Sequence, residues 1–106
     1  MTETYTALTE TVYYILLALL EPNHGYGIMQ DVEQLSEGRL KLAAGTLYGA
    51  LTTLVERGWI RTLPNPIESR RINYQIEPDG RQALNHELNR LEELLANGKK
   101  LLKEQK

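Results

Sequence analysis

The strongest constraint on this chain lies near its C-terminal end, where Leu84, Leu88, Leu91, Leu95 and Leu102 follow one another at spacings of 4, 3, 4 and 7. That is the heptad seam by which one helix packs lengthwise against another. Pro78 fits a first helical turn, where no amide donor is needed, so the spacing predicts a helix from Pro78 to roughly Lys103, about 39 Å long. Gly98 fills the one seam place without a leucine and weakens the helix there. A chain of 106 residues buries only about two-thirds of the surface it exposes when unfolded, so its body is too small to cover such a helix throughout. The seam therefore predicts a homodimer.

Upstream of the seam the elements read helix, helix, helix, hairpin. Helix one is expected from about Thr6 to Leu20, apolar nearly all round over its last turns, and Pro22, Asn23 and Gly25 break it. Its apolar run, Val12 to Leu20, is nine residues long and has no basic residue before it. It reads as neither a signal peptide nor a membrane span, and a cytoplasmic protein is expected. Helix two carries Ile28, Val32 and Leu35 and stops at Gly38 in a C-terminal cap. Helix three starts near Ala44 or Gly45, turns Leu47, Leu51, Leu54 and Val55 to one face, and ends before Gly58. From there the period falls to two, with Ile72, Tyr74 and Ile76 alternating with polar residues. Trp59 to Leu63 is the natural partner strand, with Trp59 as core beneath it, and Pro64 to Ser69 should project as a loop.

Charge is unevenly distributed. Residues 1–36 hold five acids and no lysine or arginine, whereas residues 37–74 hold six bases and three acids, within a net charge of −2. This argues against nonspecific polyanion binding while leaving a basic patch in the middle third. Enzyme signatures fail on inspection. Gly25-Tyr26-Gly27 follows a helix instead of a strand and lacks a third glycine, and His86-Glu87 has Arg90 where a zinc helix needs a second imidazole. Ser36 and Ser69 sit in no nucleophile elbow. With no cysteine there is no thiolate metal site or disulfide, so neither a metal, a cofactor nor a catalytic group is expected.

Three short helices, the third with small polar residues outward, followed by a hairpin, is the order of a winged helix-turn-helix. The expected fold is thus mainly α with a small β-hairpin: residues 1–77 form a DNA-binding winged helix-turn-helix, and residues 78–106 a dimerisation helix and tail. Thr46, Gly49 and Thr53 let helix three sink into a major groove, with threonine able to meet base edges, phosphates or a thymine methyl. The start of that helix offers free amides to a phosphate, with Arg39 and Lys41 flanking it. Arg70 and Arg71 would reach adjacent backbone or minor groove, although charges there also blunt an exposed strand. Tyr48 suits a core edge and a phosphate contact equally. His24 reads as a turn residue with a local hydrogen bond. Tyr13, Leu16, Leu84, Leu88, Leu91, Leu95 and Leu102 are the expected dimer contacts, with helix four of one subunit against helices one and four of the other.

The residues also resemble those of the PadR family of transcriptional regulators, in its short subfamily with a single C-terminal helix. The resemblance rests on Tyr13 to Leu20, His24-Gly25-Tyr26-Gly27-Ile28, Gly45-Thr46-Leu47-Tyr48 through Leu51, Leu54, Gly58 and Ile60, and Arg70-Arg71 before Tyr74. It implies a dimeric repressor with helix three and the wing on a palindromic operator, relieved in some members by a small-molecule effector. Ala44 and Gly49 stand where the family often has proline or serine and proline respectively, and Glu77 where it commonly has a capping threonine. No aromatic residue follows Tyr74, so the aromatic sandwich of multidrug-binding relatives is not expected. Tyr13 and Tyr14, with Leu88 and Leu91, are the effector-pocket candidates. The contrasting reading is a winged-helix module that binds protein or ligand without DNA, suggested by the acidic first third.

Overall fold

The fold is seen in a computed structural model that describes residues 6–64 and 71–105. Its elements are α1 (Glu10–Ala18), β1 (Asn23–His24), α2 (Gly25–Leu35), α3 (Ala44–Glu56), β2 (Ile60–Thr62), β3 (Asn73–Ile76) and α4 (Pro78–Glu104). The winged helix-turn-helix order expected from the sequence is present. Helix one is shorter than expected, because the Thr9 hydroxyl caps it by accepting from the Val12 amide at 3.1 Å. Arg70 and the projecting loop beyond Pro64 fall outside the described residues.

The sheet differs from a simple hairpin. It is three-stranded, in the order β1-β3-β2, and Asn23, expected as a helix breaker, and His24, expected as a turn residue, pair with Tyr74 and Asn73. Two residues are too few to show a period of two, so only the partner strand reveals the third one. Ile72 precedes β3 and is exposed, leaving Tyr74 and Ile76 to face the core. The sheet is tied to the helices by the Ile76 amide, which donates to the Leu19 carbonyl at 2.9 Å, and by the Glu77 amide, which donates to Trp59 at 2.8 Å.

One apolar core joins the four helices, β2 and β3: Ile15 and Leu16 from α1 and Leu19 just after it, Ile28 and Val32 from α2, Leu47, Leu51 and Leu54 from α3, and Ile60, Tyr74, Ile76 and Leu84 around them. Two expected dimer contacts are corrected here. Leu16 is 0% exposed and Leu84 5% exposed within a single protomer, so both belong to its own core. Conversely, Leu35 and Val55, expected on inward faces, are exposed. Trp59 is only half-buried, with the Arg57 guanidinium 5.1 Å over its ring.

Helix ends fix the angle at which α3 is presented. After α3 the Gly58 amide donates to Val55 and the Trp59 amide to Leu54, both at 3.0 Å, with Gly58 at φ 75°. This paired C-terminal cap uses glycine for its left-handed residue. The end of α2 has the same bonding, from Glu37 to Gln34 and from Gly38 to Glu33, but the left-handed residue at its centre is Glu37, at φ 54°. Between α2 and α3 the buried Ser36 hydroxyl donates to the Glu33 carbonyl at 3.2 Å and accepts from the Leu40 amide at 2.9 Å.

α4 starts on the body and leaves it. Its first turns carry the buried Gly80, Ala83, Leu84 and Glu87, whereas every residue from Leu91 to Gln105 is exposed, and the molecule's long axis reaches 63 Å. Glu87 pins the junction. It accepts from Arg90 at 2.9 and 2.6 Å and from the Leu8 amide at 3.2 Å. The Arg90 guanidinium, and secondarily the Leu8 amide, hold its carboxyl below the ordinary value, against an opposing effect of burial.

A carboxyl with a depressed folded pKa stabilises the fold above its unfolded pKa, and that contribution disappears as pH falls through the folded value. The urea midpoint of the wild type should therefore fall from about pH 4.5 downward, the unfolded limit set by a free glutamate. Glu87→Gln should start lower at pH 7 and lose less across the same acid window. Parallel curves for the two proteins between pH 3 and 7 would show that Glu87 has no such role.

Candidate nucleic-acid interface

The exposed face of α3 is built from small residues. Thr46, Gly49 and Thr53 fall at spacings of three and four, which places them on one side of a helix, and all three are exposed, as are Gly45 and Thr52. Nothing lies within 4 Å of where a Cβ would sit on Gly45 or Gly49. The helix can therefore approach a flat or grooved surface closely. Thr53 donates its hydroxyl hydrogen to the Gly49 carbonyl at 3.2 Å, and Thr52 donates to Tyr48 at 2.9 Å. In that state each presents lone pairs and a methyl group outward, suited to a base amino group or a thymine methyl. Thr46, in the first turn, has no such internal bond among the described residues, which leaves its hydroxyl able to donate to a phosphate.

The N-terminus of α3 adds positive potential. Ala43 has no side chain that can cap it, so the first amides of the helix are left for solvent or an anion. Lys41, two residues before that cap, is exposed. Arg39, the other flanking cation, instead pairs with Glu10 at 2.6 Å, and Arg61 of β2 pairs with Glu77 at 2.7 Å. These two bases are thereby compensated within the protomer.

Tyr48 joins this helix to its neighbours. Its side chain is 47% exposed, yet its hydroxyl occupies the space that a Cβ on Gly25 would need. The ring covers the start of α2, as a core-edge residue would, while much of it faces solvent. Burial, with a smaller effect from the neighbouring Tyr48, raises the Tyr74 phenol above its ordinary value. Beside Gly25, His24 accepts at Nε2 from the Arg71 guanidinium at 3.4 Å, in the tautomer that leaves that nitrogen unprotonated. So α3, the start of α2 and the base of the wing meet at Tyr48, His24 and Arg71, with Gly25 buried beneath the Tyr48 hydroxyl.

Sequence reasoning missed how His24 and Asn23 take part in this surface. Asn23 donates to the Ala18 carbonyl at 3.2 Å and to Asp31 at 2.9 Å, while its own oxygen accepts from the His24 amide at 2.9 Å. A Cβ on Gly27 would strike that same oxygen. The glycines of His24-Gly25-Tyr26-Gly27 are thus space for Tyr48 and Asn23. The pattern was visible in the sequence, but its cause is tertiary.

A family model described as the transcriptional regulator PadR-like family matches residues 14–86. The chain belongs to this family. Solved structures share the fold: a transcriptional regulator from Clostridium thermocellum is 24% identical, covering 92% of this chain and 92% of its own with a TM-score of 0.62. A PadR family transcriptional regulator from Eggerthella lenta is 25% identical over 90% of this chain and 82% of its own, with a TM-score of 0.66. Bordetella bronchiseptica BpsR, whose DNA binding is regulated by 6-hydroxynicotinic acid, shares the fold at 17% identity and a TM-score of 0.66, over 85% of this chain and 64% of its own. No curated protein matches the chain. As a PadR-like protein it is a DNA-binding transcriptional regulator, not an enzyme. Among the described residues no helix is long and apolar enough to cross a membrane.

Proposed function

We propose that this PadR-like protein is a cytoplasmic, homodimeric repressor that reads a palindromic double-stranded operator, with residues 1–77 on DNA and residues 78–106 forming the dimer. The observation that carries the reading is the exposed, small-residue face of α3, uncapped at its N-terminus, on a helix whose Tyr48 flank meets the start of α2 beside His24 and Arg71. In this reading Thr46, Gly49 and Thr53 enter the major groove, Lys41 and Tyr48 meet phosphates, and Arg70 and Arg71 extend the contact through the wing. The α4 residues Leu88, Leu91, Leu95 and Leu102 are all exposed in the protomer, and so are Leu94 and Leu101 beside them. That stripe is wider than a simple two-helix seam, which supports helix four meeting both helix four and helix one, through Tyr13, of the other subunit. A small-molecule effector that releases the operator is part of the proposal, with precedent in the ligand-regulated DNA binding of BpsR. In the dimer Tyr13, Tyr14, Leu88 and Leu91 would line one pocket for it.

The test is capture of sheared source DNA at roughly physiological salt by the wild type and by Thr46→Ala/Arg70→Ala/Arg71→Ala. The wild type should enrich a few palindromic fragments, and the variant should bind them at least tenfold more weakly, because about 1.4 kcal/mol, one good contact, already gives that factor. Its affinity should also fall less steeply with salt, by about two counterions per half-site for the two lost arginines. If two folded proteins enrich nothing, the winged-helix module acting on protein or ligand takes the place of the operator-binding reading.

A further inference from the structure

His24 is half-buried and fixed from several directions. Its amide donates to the Asn23 side-chain oxygen at 2.9 Å, and its backbone pairs with Asn73 in the antiparallel ladder of β1 and β3. Its ring carbon Cε1 lies 3.4 Å from where a Cβ on Gly27 would sit, over the first turn of α2. His24 starts that helix without a capping bond from its side chain, and the imidazole turns instead to Arg71. Arg71 precedes Asn73 by two residues, so it emerges on the same side of the extended chain as the residue opposite His24. It is exposed, and a long side chain there has much rotamer freedom to lose on meeting a ligand.

The chemistry of the acceptor matters. Arg39 and Arg61 are held by the carboxylates of Glu10 and Glu77, which cancel the charge they orient. A neutral imidazole accepts a guanidinium N–H without adding negative charge, and a guanidinium carries more donors than one such bond uses. We infer that His24 is a positioning residue for DNA binding, which holds the Arg71 guanidinium at the base of the wing, oriented to receive a phosphate. Ordering the side chain beforehand lowers the entropy lost on binding. Protonation of His24 removes the acceptor lone pair and sets two cations side by side, so the contact is made at neutral pH and released in mild acid. The other titratable groups on the elements around β1 are Asp31 of α2, engaged by the Asn23 amide, the Tyr48 phenol of α3 over Gly25 and the Tyr74 phenol of β3, opposite Asn23. Of these residue types only histidine ordinarily changes charge between about pH 5 and 8. The effect on DNA rests on the operator-binding reading, whereas the contact itself does not.

The contact is read in the free full-length protein from the Arg71 Nε–H NMR resonance, assigned by its loss in Arg71→Lys. Between about pH 8 and about pH 5.5 it should titrate together with the His24 ring resonances in the wild type, and stay constant in His24→Gln, whose amide oxygen accepts but does not titrate. On captured operator fragments at about pH 8, His24→Ala should bind about threefold to tenfold more weakly than the wild type, and His24→Gln within about twofold of it. The double variant His24→Ala/Arg71→Ala should bind no more weakly than Arg71→Ala alone. In acid the wild type should lose affinity relative to His24→Gln. An Arg71 resonance indifferent to His24 protonation, or additive losses in the double variant, would overturn the assignment. Affinity that rises in acid relative to His24→Gln would overturn it in favour of His24 as a direct phosphate contact. If no fragment is enriched at all, the operator-binding reading fails, and the free-protein titration still decides whether His24 holds Arg71.

Discussion

Leu95→Glu should leave a folded protomer that no longer dimerises. Leu95 is 58% exposed in the protomer, so the substitution costs the isolated fold little. In a dimer whose helices pack along the leucine seam it buries an unpaired carboxylate from each subunit. The loss should be about 3 kcal/mol or more, on the order of a 100-fold rise in the dimer dissociation constant. Leu88→Glu should behave in the same way. Leu84→Glu should not, because Leu84 lies in the protomer's own core and a charge there should unfold the chain. Sedimentation equilibrium with circular dichroism distinguishes the two behaviours. A wild-type dimer mass retained by Leu95→Glu would remove the seam from the interface.

Gly80→Ala should destabilise the protein even though it lies in a helix. Replacing a helical glycine by alanine ordinarily gains about 1 kcal/mol. Here a Cβ would meet the Trp59 carbonyl, which is backbone, and the Ile76 side chain 2.8 Å away. The same carbonyl accepts from the Glu77 amide, so moving it disturbs the bond that seats α4. Overpacking of this kind costs about 1–3 kcal/mol, and the backbone partner puts Gly80 toward the upper end, leaving a net loss of about 1–2 kcal/mol. Gly98 is the internal control, with nothing within 4 Å of its Cβ position. Gly98→Ala should raise the urea midpoint by the equivalent of about 1 kcal/mol. If both glycines respond with the same sign, local packing does not decide their effects.

The contrast between these two glycines shows how far the sequence could be read. Period and punctuation located the long elements, because a face repeating at 3.6 or 2 residues leaves its trace in the residue order. They could not orient α1, whose apolar residues cover almost the whole circumference, and so Leu16 was assigned outward while the core takes it inward. Nor could they show β1, whose two residues become a strand only through Tyr74 and Asn73. The first seam leucine, Leu84, fits the heptad yet is claimed by the body, because α4 begins against it. In the site, the small outward face of α3 was legible. The roles of Asn23 and His24 were not, since they depend on contacts with Asp31 and Arg71, eight and 47 residues away.

The central claim is that two copies of α3 are held by α4 at a fixed separation to read a two-fold DNA site. Hydroxyl-radical footprinting on the captured fragments measures that separation directly. The account predicts two symmetry-related protected half-sites whose centres lie about 34 Å apart, one turn of DNA, or a multiple of it. Both should be lost together in Leu95→Glu at concentrations where the wild type is a dimer. A single protected segment that survives in the monomeric variant, or uniform protection along the fragment, would contradict it.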